Sequence, residues 1–287
     1  MAAVTGAMAS MMKHVSISAF SKVMLVVGKA THVAPNPSAK VPAYLLKLDF
    51  GQALNDEHTA LHRKPCYTSS AQLCTNHTVQ DLTDQPLMCV ANFPRKQIGK
   101  FMSDCLVTGA QARLPSYDAR RETTVFMKPS REIALGSRIS IFGIPEVVTK
   151  NPRDLAWSEF EALDLRIATV TKCAFSESDQ PQSTFVEAAD NKDNDNKSAS
   201  GQLALVDMTC DLGDEFGAEV SGVGLIDLEV LSPKDLLAMQ VLVLTNLAPD
   251  DVAAHFYGSK ATAILCTIAG KAFVGPALKV ANGYKIA

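Results

Sequence analysis

The segment AQLCTNHTVQDLTDQPLMCVANFP, residues 71–94, returns in altered form as GVGLIDLEVLSPKDLLAMQVLVLTNLAP, residues 222–249. Each copy reads as the end of one strand, a turn, a short helix and a compact apolar strand. That strand stops at an Asn with a Pro close behind. HTVQDLTDQ and LEVLSPKDLLAM supply the helical patterns; Ser232 followed by Pro233 has the form of an N-cap with Pro in the first helical position. PLMCVANF and VLVLTNL are short continuous apolar runs, the pattern of strands buried on both faces.

The repetition extends outward in the same order on both sides. SKVMLVVGKATHV (21–33) pairs with EALDLRIATVTKC (161–173), DCLVTGA (104–110) with AILCTIA (263–269), and LGSRISI (135–141) with PALKVAN (276–282). Two related units follow, meeting near Asn151-Pro152, where the pattern breaks. Each unit contains about five short strands and a helix, which suits a small closed or Greek-key barrel. The expected class is therefore all-β: two tandem five-stranded barrels with short helices. The expected layout is a flexible tail over 1–14, a first domain over 15–145, a linker over 146–156 and a second domain over 157–287. Residues 176–202, SESDQPQSTFVEAADNKDNDNKSASGQ after the first strand of the second unit, are too polar and acidic to bury a core, and disorder is expected there.

Composition narrows the function. The 287 residues are 47% apolar and carry a net charge of −3. That charge divides unevenly: residues 1–150 hold 17 Lys and Arg against 10 Asp and Glu, and residues 151–287 hold 10 against 20. A basic half suggests a polyanionic partner which the acidic half does not share; the alternative is charge that merely keeps each half soluble. The seven cysteines are scattered without C-x-x-C or zinc-finger spacing, which reads as buried thiols in a reducing, cytoplasmic setting. No apolar run is long enough to span a bilayer. The N-terminal stretch lacks the charged start of a secretory signal and reads as a frayed tail, with a weak organellar presequence as the alternative. No phosphate-binding glycine loop, H-E-x-x-H or G-x-S-x-G pattern occurs. The histidines of NDEHTALHRK and TNHT lack metal spacing and read as surface or turn residues. No enzyme, no metal and no cofactor are expected.

The turn ANFPRKQIGKF (91–101) is rich in cations: Arg95, Lys96 and Lys100, with Gln97 between them. Such a turn offers donors to phosphate, and Arg can bind bidentately. Its counterpart, TNLAPDDVAAHF (245–256), carries Asp250 and Asp251 instead.

These blocks resemble a known family. VGKATHVAPNPSAKVPAYLLKLDFG, SSAQLCTNHT, VANFPRKQIGKFMSDCLVTG and LGSRI are similar, in order, to the tRNA-binding domain of the CsaA and EMAP-II-like family. That OB-fold module is also appended to some aminoacyl-tRNA synthetases and multisynthetase-complex factors. The resemblance spans about residues 15 to 143. The second half resembles the synthetase-appended form, but its NLAPDDVAAHF lacks the basic residues usual there, which makes it a degenerate copy. The resemblance implies tRNA as partner, with synthetases or other multisynthetase proteins as associates. It implies RNA contacts at Lys40, Ser69, Ser70, Gln72, Asn76, Asn92, Arg95, Lys96, Gln97, Lys100 and Ser103. It also implies pairing of modules, either as a pseudo-dimer within the chain or as a homodimer. The alternative is a protein-interaction or chaperone-like scaffold, since CsaA is associated with binding unfolded polypeptide.

Overall fold

The computed structural model describes residues 13–112, 123–141, 150–176 and 203–287. Most of the expected tail, part of the expected linker and nearly all of the acidic segment 176–202 lie outside the described residues.

The first half begins with α1 (Ile17–Lys22), β1 (Leu25–Pro35) and β2 (Tyr44–Asp49). Then come α2 (Gln52–His62), β3 (Tyr67–Ala71), α3 (Val79–Leu82) and β4 (Pro86–Val90). A hairpin of β5 (Lys96–Ile98) and β6 (Phe101–Ser103) precedes β7 (Leu106–Val107), β8 (Gly109–Ala112) and β9 (Thr123–Pro129). The second half holds α4 (Trp157–Glu161), β10 (Leu165–Phe175), β11 (Leu203–Asp211), β12 (Val220–Asp227), α5 (Pro233–Leu236) and β13 (Gln240–Leu244). It ends with α6 (Pro249–His255), β14 (Ala263–Leu265), β15 (Thr267–Ile268) and β16 (Ala272–Pro276).

β10-β11-β12-β14-β13 form a closed barrel, and β3-β2-β1-β4-β7 repeat its strand order as a five-stranded sheet. This is the OB arrangement: a three-strand meander, a short helix, and two strands that close the circle. In the second barrel β12 and β14 close it as a parallel ladder. In the first, a pair of bonds does so: the Asp104 N–H donates to the Thr68 carbonyl (2.6 Å), and the Asp104 carboxylate accepts from the Thr68 N–H (2.9 Å). Both long first strands carry the same bulge, between Ala30 and His32 and between Val170 and Lys172. The bulge bends the strand around the barrel.

Both short helices form, the second with Ser232 ahead of it as predicted. Thr78 donates its N–H and hydroxyl to the Asp81 carboxylate and accepts the Asp81 N–H in return, whereas Ser232 donates its N–H and hydroxyl to the Asp235 carboxylate. Gly28 is required where β1 crosses the core, because a Cβ there would stand 2.4 Å from the Phe50 ring.

The apolar runs of β1, β4, β10 and β13 are continuous because both faces are covered. Val26, Leu48, Leu87 and Phe126 fill the first barrel, and Ala168, Val206, Val241 and Leu265 fill the second. The alternate residues, among them Leu25, Val27, Met88, Ile167, Leu242 and Val274, form a third core shared by the two halves. The seam is also bonded. β9 and β16 pair antiparallel, uniting β15-β16-β9-β8 in one sheet. Gly109 and Ala287 exchange backbone bonds, as Ser140 and Thr267 do.

The contacts across the seam are reciprocal, as in an isologous pair. Val15, ahead of α1, bridges to Leu247 of the second half. Leu155, ahead of α4, donates its N–H to the Asn92 carbonyl of the first half (3.3 Å). Each half thus sends its leading segment onto the other half's Asn-containing turn.

The geometry corrects two repeat alignments. Gly136 and Gly283 are the matching pair, both at positive φ and each against a carbonyl, so LGSRIS (135–140) corresponds to residues 282–287, six residues beyond the pairing of 135–141 with 276–282. Asp104 corresponds to Thr262, whose N–H donates to the Ser221 carbonyl as that of Asp104 does to Thr68. The pairing of 104–110 with 263–269 is thus one residue out, which in a strand exchanges the inward and outward faces.

Candidate nucleic-acid interface

The two Asn-containing turns share a clamp and then diverge. Asn92 is 1% exposed; its Oδ1 accepts from the Met24 N–H (3.0 Å) and its Nδ2 donates to the Lys22 carbonyl (2.8 Å). Asn246 makes the same pair of bonds with the Asp164 N–H and the Ala162 carbonyl. Both amides are spent on backbone, so Asn92 holds a turn and presents nothing to a ligand. Beyond the clamp the first half forms the β5–β6 hairpin, whereas the second forms α6. The acidic sign of the second turn has a local use: the Asp251 carboxylate accepts the Ile17 N–H (2.9 Å) at the start of α1, where negative charge is favoured.

The hairpin is fixed against the β1–β2 loop. Gly99 turns at φ 62°, with its Cα packed on Ser38, and the Lys100 N–H donates to the Ser38 hydroxyl (3.4 Å). The Met102 carbonyl accepts from the Thr68 hydroxyl (2.7 Å). Between hairpin and loop runs a groove of about 300 Å³ containing Lys40, Ser70, Gln72 and Ile98. Ser70 and Ile98 also line a neighbouring cleft of about 540 Å³, with Phe93, Leu106, Leu155, Trp157, Arg95 and Lys96. Neither lining contains Asp or Glu. Lys40, Lys96, Gln97 and Lys100 are exposed. None of the three lysines has a carboxylate within 4.0 Å among the described residues.

The remaining sequence-derived residues stand elsewhere or are already engaged. Ser69 and Ser103 are buried, and both hydroxyls donate to the Cys105 carbonyl (3.0 Å each). The Ser70 hydroxyl accepts from Asn36 (3.0 Å). Asn76 is half-buried away from the groove, its Nδ2 donating to the Thr124 carbonyl (3.4 Å).

Arg95 is not a free cation. Its Nε donates to the Asp104 carboxylate (2.7 Å) and its Nη1 to His62 Nδ1 (3.1 Å), leaving the side chain 27% exposed at the cleft wall. Behind it lies a buried charged cluster that sequence reasoning missed. The Asp104 carboxylate, fully buried, also accepts from the Thr68 hydroxyl (2.7 Å) and faces His58 Nε2 at 3.6 Å. Arg153, from the segment between the halves, donates to the Asp104 carbonyl (2.6 Å) and to His58 Nδ1 (3.2 Å). His58 stacks on Tyr67, with ring centroids 4.1 Å apart.

The histidine expectation fails at His58 and His77, which are buried rather than surface residues. The signal at hand was helical spacing: Leu54, His58 and His62 share one face of α2. Burial drives the His58 pKa down to about 4, Asp104 opposes that, and Arg153, His62 and Arg95 reinforce it. Because arginine only donates, Nδ1 is the acceptor and the proton sits on Nε2, toward Asp104. For Asp104, burial pushes the carboxyl pKa upward, but the Thr68 bonds, Arg95 and His58 outweigh it, and the pKa lies below the usual range. Among the described residues no group of His, Cys, Asp and Glu is placed to hold a metal ion, and no helix is long and apolar enough to cross a membrane.

No protein-family model matches the chain. Among solved structures it is similar to a chaperone CsaA from Bacillus anthracis str. Ames, at 30% identity, over 45% of this chain and 100% of that one, with a TM-score of 0.35. It is similar to a CsaA chaperone protein from Picrophilus torridus, at 29% identity over 44% and 99%, with a TM-score of 0.34. It is also similar to the C-terminal domain of Plasmodium vivax p43, at 17% identity over 48% and 71%, with a TM-score of 0.36. Each likeness covers under half of this chain; the fold assignment rests on strand order and register.

Proposed function

We propose that this protein is a non-catalytic RNA-binding accessory factor that takes tRNA into the groove of its first half and works alongside aminoacyl-tRNA synthetases. The observation that carries the reading is the set Lys40, Lys96 and Lys100, exposed around a groove whose lining has no carboxylate. Ser70 and Gln72 on the groove wall supply polar groups for base edges or 2′-hydroxyls. The hairpin and the β1–β2 loop lie where OB barrels take oligonucleotides. The second half, with α6 in place of the hairpin, serves as structural partner through the shared core.

The test is tRNA filter binding at two salt concentrations, comparing the parent with Lys96→Glu/Lys100→Glu. Each lysine–phosphate contact adds about 0.7 to the slope of log affinity against log salt on a single strand. The double variant should bind more weakly across all tRNA sequences and lose about 1.4 from the slope. Equal affinity and equal slope would refute the site. Arg95 is the wrong residue for this test, because reversing its charge also strands the buried Asp104.

A second reading has its own observation. The larger cleft is walled by Phe93, Ile98, Leu106, Leu155 and Trp157, a surface suited to an apolar peptide and hence to a chaperone-like scaffold. Binding that persists at high salt, with unfolded polypeptide rather than RNA, would select it.

A further inference from the structure

Trp157 is the only tryptophan of the chain and is 49% exposed. It opens α4, which leads into the second half, yet it stands against the first. Its ring stacks on Phe93, with centroids 5.5 Å apart and planes 29° from parallel. Leu155, fully buried and bonded to the Asn92 carbonyl, fixes the segment there. Phe160, one turn further along α4, belongs to the core shared by the two halves: it is 3% exposed and meets both rings at 5.8 Å. Trp157 forms a wall of the cleft that Arg95 and Lys96 also line.

We infer that Trp157 is a stacking platform for an unpaired base of single-stranded RNA, supplied to the first half's groove by the leading helix of the second. The inference rests on the RNA-binding reading above and adds a base-contacting residue, together with a reason for the two halves to stay joined. The occupant follows from charge and shape. An aromatic face beside a run of cations, with no carboxylate in the lining, fits a strand that carries a π-face and a phosphate at every step. Ile98 lines both the groove and the cleft, so a strand whose phosphates follow Lys100 and Lys96 along the hairpin reaches Trp157 with its base. Because every base has a π-face, the contact should be tolerant of sequence.

The experiment is a titration of the full chain with a labelled oligouridylate of about ten nucleotides, within the range of OB-fold site sizes. Label anisotropy and tryptophan emission are read together. Emission should quench in step with anisotropy, because there is one tryptophan to report. Trp157→Ala should weaken binding by about 5- to 150-fold, the range for loss of one stacked base. Its salt slope should match the parent's, since no charge is removed. Trp157→Phe, which keeps an aromatic ring against Phe93, should recover most of the affinity, and thermal midpoints identify any variant that fails to fold. If anisotropy reports binding while emission stays constant and Trp157→Phe and Trp157→Ala bind like the parent, the inference is overturned and the RNA-binding reading stands. If neither the oligonucleotide nor tRNA binds, both are overturned. Quenching by an apolar peptide alone, insensitive to salt, would also overturn both and assign the cleft to a protein partner.

Discussion

Replacing His58 with glutamine should make this protein less sensitive to mild acid. His58 is 1% exposed, stacked on Tyr67, and holds a proton on Nε2 only. Its pKa in the fold, about 4, compares with about 6.5 in an unfolded chain. As pH falls below about 6.5, the unfolded chain takes up a proton at this position while the folded one does not, so stability is lost until the pH reaches about 4. The full difference is worth about 3 kcal/mol, and about 2 kcal/mol of it falls between about pH 7 and pH 5. In a protein of this size that corresponds to a drop of about 4–8 °C in Tm. Glutamine offers an amide acceptor for Arg153 and a donor for Asp104 and does not titrate. Asp104, whose pKa is lowered, adds stability that is lost only at pH values below its unfolded value of about 3.9, outside this window. His62 and His77 are lowered chiefly by burial and have the same sign as His58, but they are present in both proteins and largely cancel in the comparison. Thermal unfolding followed by circular dichroism at the two pH values is the assay. Equal losses of Tm in parent and His58→Gln would refute the reasoning, because the buried ring would then not be the site that resists protonation.

Asp104→Ala should cost about 3–5 kcal/mol in urea unfolding, because it leaves Arg95 and the Thr68 donors facing a site without charge. Asn92→Ala and Asn246→Ala should each cost about 2–3 kcal/mol, since each strands a backbone N–H and at least one carbonyl; a loss well under 1 kcal/mol by the same measurement would remove the clamp role. Asp251→Ala should cost about 1 kcal/mol and speed proteolysis within residues 13–22, because the start of α1 loses its carboxylate partner; an unchanged digestion pattern would count against that anchoring.

Much of the architecture was legible from pattern. The doubled order of strand, turn, short helix and apolar strand predicted two barrels, and the continuous apolar runs at residues 24–27 and 241–244 marked strands covered on both faces. The cationic turn was also readable, because Lys96 and Lys100 lie within one short stretch and remain in water. Other parts were not readable. The shared frame of the two Asn-containing turns suggested one turn built twice, yet the first is a hairpin packed on Ser38 and the second a helix. Arg95 looked like its lysine neighbours, and only Asp104, nine residues on, and His62, thirty-three residues back, take it out of that set.

The amino-acid order alone determined which faces are apolar, where strands and short helices begin, and which half is basic. These properties depend on neighbours a few residues apart. Tertiary structure decided which charges are desolvated, which amides are spent on backbone, and that Trp157 of the second half's leading helix stands in the first half's cleft. The energy of a buried charge or an exposed ring is set by groups brought together from distant parts of the chain, and local periodicity carries no record of them.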